Sequence, residues 1–212
     1  MPAIGLILLG LLAAPFLLLL LFFRLSQTGL ERIGLSSELA IGILALMLMG
    51  SLINIPLSRR KLMAVEERHF FGLLRKQVMR AQGVSLNVGG GLIPILLAGY
   101  AAVLSPLVPL MWAIGIMAGI SRVFSRVVPG KGIGVPLLLP PIAAALLALI
   151  LAPDHAVFVA FASGTFGILI GADLLNLPRI QKEAHGMLSI GGAGVFDAIF
   201  LVGIVSVLIA SL

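Results

Sequence analysis

Two aspartates, Asp173 and Asp197, stand in otherwise apolar sequence, in GADLLNL and GGAGVFDAIFLVG. A carboxyl group in hydrocarbon is costly and is by default a functional group, so a pair of them invites a joint role. When two carboxyls share a site away from water, burial and mutual repulsion both oppose a second negative charge, and at least one holds a proton. One group then donates while the other accepts. That is the electrostatic arrangement of an aspartyl protease, in which a carboxylate activates water and a carboxylic acid polarises the scissile carbonyl. Paired acids also serve transporters and channels as proton relays or cation sites. A third reading is structural, each acid bonding a neighbouring helix through Asn54, Asn87, Asn176, Ser189 or a backbone group.

The elements that carry the acids must bring them level. Asp173 lies near the end of an apolar run over 156–177, and Asp197 lies within the next run, 188–211. At 1.5 Å per residue, Asp173 is roughly 6 Å inside one boundary and Asp197 roughly 13 Å. Gly191, Gly192 and Gly194 ease an irregular helix start and permit close backbone approach. A start nearer Val195 would place the two carboxyls at one depth on adjacent antiparallel helices. These glycines and Asn176, which closes the first of the two helices, are the expected supporting residues of the site.

With 60% hydrophobic and 10% charged residues in 212, the chain is far more apolar than soluble domains, which run near 45–50% apolar and about 25% charged. It reads as an all-α integral membrane protein. Runs near the 20 residues needed to cross about 30 Å of hydrocarbon occur at 3–23, 38–57, 88–105, 107–121, 134–152, 156–177 and 188–211. These predict seven transmembrane helices in a single domain, 1–212, with the acid-bearing helix pair at 156–211. A kinked re-entrant unit is the alternative over 88–121. Twelve of the fourteen Lys and Arg residues fall in the loops after the second, fourth and sixth runs. All three loops then share one side, the cytoplasm by the positive-inside rule, with the amino terminus inside and the carboxyl terminus outside. The first run is read as an uncleaved span facing lipid, followed by a loop over 24–38.

Segment 58–84 is basic, with Phe70, Leu73, Leu74 and Val78 near one face at helical spacing. It predicts an amphipathic helix on the cytoplasmic membrane surface. Two sequence matches suggest a parallel internal repeat: GSLINIP resembles GADLLNLP, and NVGGGLIP resembles SIGGAGVF. Chance recurrence at helix ends is the competing explanation. Aligned this way, the first half lacks both acids and reads as scaffold. There is no cysteine, which excludes disulfides, thiol catalysis and thiolate-bound metal. His69 beside Glu66 and Glu67 lacks the spacing of a His-Glu-x-x-His site. No metal or cofactor is expected. The partners are the bilayer and a transmembrane peptide substrate, and the net charge of +6 is a topology signal rather than a sign of nucleic acid.

At GADLLNL, NVGGGLIP and GGAGVFDAIFLVGI the chain resembles a family of bacterial and archaeal membrane proteins catalogued as domain of unknown function 1614. The resemblance covers most of the chain and implies a prokaryotic inner-membrane protein, without implying an activity. More distantly, the chain is similar to the Gly-x-Gly-Asp aspartyl proteases of the membrane: presenilin, signal peptide peptidase and the prepilin peptidases. That similarity implies that Asp173 and Asp197 are the two catalytic acids. Val195 and Phe196 separate Gly194 from Asp197, so the strict motif is absent, as is any Pro-Ala-Leu sequence.

Overall fold

The computed structural model describes residues 2–58, 61–69, 74–128, 132–178 and 187–212. Among these, seven main helices account for the apolar runs: α1 (Pro2–Arg32), α2 (Ser37–Gly50), α3 (Ile93–Val103), α4 (Leu107–Phe124), α5 (Leu139–Leu151), α6 (Ala156–Ile168) and α7 (Ala198–Ala210). Single turns extend two of them. A π-helical turn, Val88–Leu92, leads into α3; a 3-10 turn, Pro153–His155, precedes α6 and a π-helical turn, Leu169–Leu174, follows it. The segments Leu11–Arg32, Leu107–Phe124 and Pro153–Leu174 are long and apolar enough to cross a membrane. The other four helical segments have 10–17 residues, and thirteen residues extend only about 20 Å.

Helix α6 is the centre of the bundle. Nearly all of its residues are buried, from Ala156 and Val159 through Ile168, and α3, α4, α5 and α7 all pack against it. Small residues make this crowding workable, as between helices in lipid, where close backbone approach maximises dispersion contacts. A Cβ added to Gly167 would overlap the Met117 side chain, one on Gly171 the Ala118 carbonyl, and one on Gly203 the Thr165 hydroxyl at 2.5 Å. Helix α1 is peripheral. Leu11, Leu12 and Phe16 to Leu21 are all exposed, and α1 joins the bundle through its later turns, where Phe22 and Phe23 meet the core and Gly29 abuts Ile204.

The first helix runs past the predicted end at residue 23. Beyond Arg24 the apolar run stops, but Gln27 donates to Glu31 at 2.9 Å, and Ser26, Leu30 and Ile33 are buried. Gly34, at a φ of 92°, ends the helix and lets the Leu35 N–H reach back to the Leu30 carbonyl, as helix-terminating glycines do. The predicted loop over 24–38 is therefore mostly helix. The seventh helix starts later than predicted, at Ala198 instead of 188. Chain over 188–197 is instead strand and glycine turn.

The amphipathic helix expected within 58–84 is overturned. The segment forms strands, β2 (Lys61–His69) and β3 (Leu74–Asn87), paired antiparallel from Lys61↔Gln82 to His69↔Leu74. Beyond that ladder β3 pairs antiparallel with β1 (Asn54–Pro56), through Asn54↔Asn87. On its other edge it pairs parallel with β6 (Met187–Ile190), through Ser85↔Ser189 and Leu86↔Ile190. Local spacing lost to cross-strand pairing: Leu74 and Val78 stand opposite His69 and Val65 of β2, the far end of β3 is held by β1 and β6, and strand formation follows such context more than intrinsic preference. A separate hairpin joins β4 (Arg126–Val128) to β5 (Gly132–Gly134).

The packing around α6 separates two classes of glycine. Gly115 on α4 has open space where a Cβ would go, so Gly115→Ala is expected to raise stability by about 0.5–1 kcal/mol through helix propensity. Gly167→Ala is expected to lower it by about 1–3 kcal/mol through overpacking. Unfolding in detergent micelles, followed by circular dichroism, checks both.

Candidate functional site

The α6 chain widens into its π-helical turn just before Asp173, and helix ends leave carbonyls in need of donors. Asn176, 2% exposed, supplies them. Its Nδ2 donates to the carbonyls of Ala172 at 2.9 Å and Gly171 at 3.3 Å and to Ser125 Oγ. Its Oδ1 accepts from Arg122 at the end of α4. The end of the acid-bearing helix is thus tied to its neighbour through one amide. Asp173 itself is half-buried, and among the described residues no hydrogen-bond donor reaches its carboxyl.

Asp197 is differently engaged. It is the N-cap of α7, with Oδ1 accepting from the Ile199 N–H at 3.1 Å and Oδ2 from the Ala193 N–H at 3.2 Å. Capping by Asp satisfies an orphan donor of the first helical turn, and the second bond closes the preceding turn on the same carboxyl. In that turn Gly194 N–H donates to the Gly191 carbonyl and Asp197 N–H to the Gly194 carbonyl. Gly191 and Gly194 adopt φ values of 72° and 63°, a left-handed conformation that glycine alone enters without steric cost.

The same glycines meet a second glycine run. A Cβ on Gly90 would overlap the carbonyl oxygens of both Gly191 and Gly194, and one on Gly191 would overlap the Gly91 N–H. The end of α2 completes the contact: a Cβ on Gly89 would strike the Met47 carbonyl, and one on Gly194 the Ser51 hydroxyl. Beside it lies a polar cluster built around the buried Asn87. Asn87 Nδ2 donates to the Ser51 carbonyl at 2.8 Å and to Asn54 Oδ1 at 3.2 Å, and Ser189 Oγ donates to the same Asn54 oxygen at 2.6 Å.

The segments that carry the two acids pack together. Ala172, next to Asp173, and Ile199, two residues after Asp197, pack in one apolar cluster with Ile168, Ile190 and Val202. Asp173 therefore lies in the π-helical turn that ends α6 and Asp197 at the start of α7, two helices packed against one another. Asn176 steadies the Asp173 end, while Gly191 and Gly194 shape the Asp197 end. Gly192 is exposed and would meet only Ser189 of its own turn. Sequence reading gave no site role to Arg122 or Ser51 and treated Asn54, Asn87 and Ser189 only as structural donors. The recurrence of Asn-x-Pro and of the glycine runs was the available signal. Among the described residues no group of three or more His, Asp or Glu side chains converges.

A family model described as "Protein of unknown function (DUF1614)" matches residues 48–209. The match spans both glycine runs and both acids, and leaves out α1. No curated protein and no solved structure matches the chain.

The unequal bonding of the acids has a measurable consequence. Asp197→Ala removes a cap and is expected to cost about 0.5–2 kcal/mol. Asp173→Asn, which breaks no hydrogen bond among the described residues and removes a carboxyl from an apolar site, is expected to cost less than Asp197→Ala or nothing. Thermal unfolding of the two variants, side by side in one detergent, checks the asymmetry.

Proposed function

We propose that this chain, which belongs to the DUF1614 family, is an aspartyl protease that hydrolyses a peptide bond within or beside the membrane. The observation that carries the reading is that Asp173 and Asp197 lie on packed neighbours, α6 and α7, with Ala172 and Ile199 beside them in one apolar cluster. One carboxylate takes a proton from water as its oxygen attacks the scissile carbonyl carbon. The partner carboxyl gives its proton to the carbonyl oxygen, forming a gem-diol. Collapse breaks the C–N bond, with a proton passing to the leaving nitrogen, and returns the pair to its starting state. The N–H donors on both Asp197 oxygens suit that group to the accepting role, and Asp173, without such donors among the described residues, suits the donating one.

In this reading the protein sits in a prokaryotic inner membrane on seven spans, with the acids opening to the cytoplasm. The substrate is a transmembrane peptide whose helix unwinds at the site. Proton or cation transport is the second reading, and one observation favours it. Beyond Asp173, two to three turns along α6, the buried hydroxyls of Thr165 and Ser163 lack hydrogen-bond partners among the described residues. Ser206 of α7, also buried, bonds the Ala160 carbonyl nearby.

Purified protein in liposomes with a single-span reporter peptide tests the reading. Asp173→Asn and Asp197→Asn are each expected to slow cleavage by at least about 100-fold, the scale of general acid–base catalysis. Asn keeps the cap on the Ile199 N–H and gives up the Ala193 bond, and an unchanged circular dichroism spectrum and melting midpoint would separate lost chemistry from lost folding. Equal cleavage by wild type and both variants would exclude these acids as catalytic. Cation or proton flux abolished by the same variants, without cleavage, would replace proteolysis by transport.

A further inference from the structure

We propose that Asn87 is a positioning residue of the site, setting the turn that presents Asp197 from the other half of the chain; the proposal rests on the reading of Asp173 and Asp197 as a functional pair. Asn87 is fully buried, and a buried amide is costly unless its donors and acceptor are used. Here they are. Oδ1 accepts from the Gly90 N–H at 2.9 Å, while Nδ2 donates to the Ser51 carbonyl and to Asn54 Oδ1. Gly90 N–H can only donate and the Ser51 carbonyl can only accept, so the amide orientation is fixed by its partners.

From Asn87 the bonds lead to Asp197 in short steps. Asn54 Oδ1, held by Asn87, accepts from Ser189. Ser189 lies on β6, where it pairs in register with Ser85 of β3, and its carbonyl accepts from the Gly192 N–H. The turn beyond it ends in the Ala193 N–H bond to the Asp197 carboxyl. Asn87 also fixes Gly90, the residue against which Gly191 and Gly194 rest. One side chain therefore determines both the polar tether and the backbone surface under the turn. A small displacement of that turn would misplace the Asp197 carboxyl relative to Asp173, and catalytic geometry tolerates little such error.

The competing account makes Asn87 only a cap for the turn Val88–Leu92, through its Oδ1 bond to Gly90. Asn87→Asp separates the two, since it keeps that acceptor and loses both donors. Ser189→Ala leaves the cap untouched and removes one bond of the tether.

Hydrogen–deuterium exchange on the full chain in lipid nanodiscs reads the local effect without relying on catalysis. The backbone amides of 192–199 are expected to exchange at least tenfold faster in Asn87→Asp and measurably faster in Ser189→Ala, while amides in the middle of α5 keep their wild-type rates. Unchanged exchange over 192–199 in both variants would overturn the proposal, as would equal acceleration throughout the chain. If Asn87→Asp does not fold, Ser189→Ala decides alone by the same two criteria. Reporter cleavage in parallel keeps the readings distinct. Local loosening in the variants, with a wild type that cleaves nothing, preserves the positioning role and removes the protease, whereas cleavage by wild type with unmoved amides in the variants does the reverse.

Discussion

The approach of two glycine runs, with Gly90 against the carbonyls of Gly191 and Gly194, is the constraint on which the rest of the site depends. Backbone meets backbone there, and neither side can rotate out of the way as a side chain would. The contact requires the left-handed turns at Gly191 and Gly194, which in turn bring the Ala193 N–H onto the Asp197 carboxyl. Any side chain at Gly90 would part the two halves of the chain at the place where Asp197 is presented. Such contacts trade intrinsic helix stability for shape, and the bundle around α6 supplies the packing that makes the trade tolerable.

The parallel pairing of β3 and β6 gives that contact its frame. Each strand leads into a glycine run and then into an apolar helix, α3 in one case and α7 in the other. Strand, glycine run and apolar helix thus recur in the same order, with the two strands running in the same direction. The two halves differ in chemistry: Ser51 stands at the end of α2 as the counterpart of Asp173, and donates to the Met47 carbonyl of its own helix. The first half carries no acid at this centre, but its Gly90 meets the turn of the half that does, and its Asn54 bonds Ser189 just before that turn.

Helices were the most legible part of the sequence, because long apolar runs have few other ways to satisfy their backbone in hydrocarbon. The neighbourhood of Asp173 and Asp197 was legible for a related reason, since a buried acid is conspicuous among leucines. The sheet was not. Ser85 and Ser189 are far apart in the chain, and pairing between them leaves no local periodicity to read. Phe70, Leu73, Leu74 and Val78 offered helical spacing, yet Leu74 and Val78 pair across the ladder with His69 and Val65 of β2, and Phe70 and Leu73 lie outside the described residues. The polar cluster was half visible: Asn54 and Asn87 stood out as repeated motif residues, whereas the Asn54 oxygen accepting from both Asn87 and Ser189 exists only once the strands align.

The central claim is that Asp173 and Asp197 face one another. Because the chain has no cysteine, a variant carrying both Asp173→Cys and Asp197→Cys holds only those two thiols, and a short bifunctional thiol reagent reports their separation directly. The expected result is an intramolecular link formed in nearly every molecule, at a reagent length of about 7 Å or less, the reach of two groups that share a water. If both thiols react singly with a monofunctional reagent and no short reagent links them, the pair does not exist.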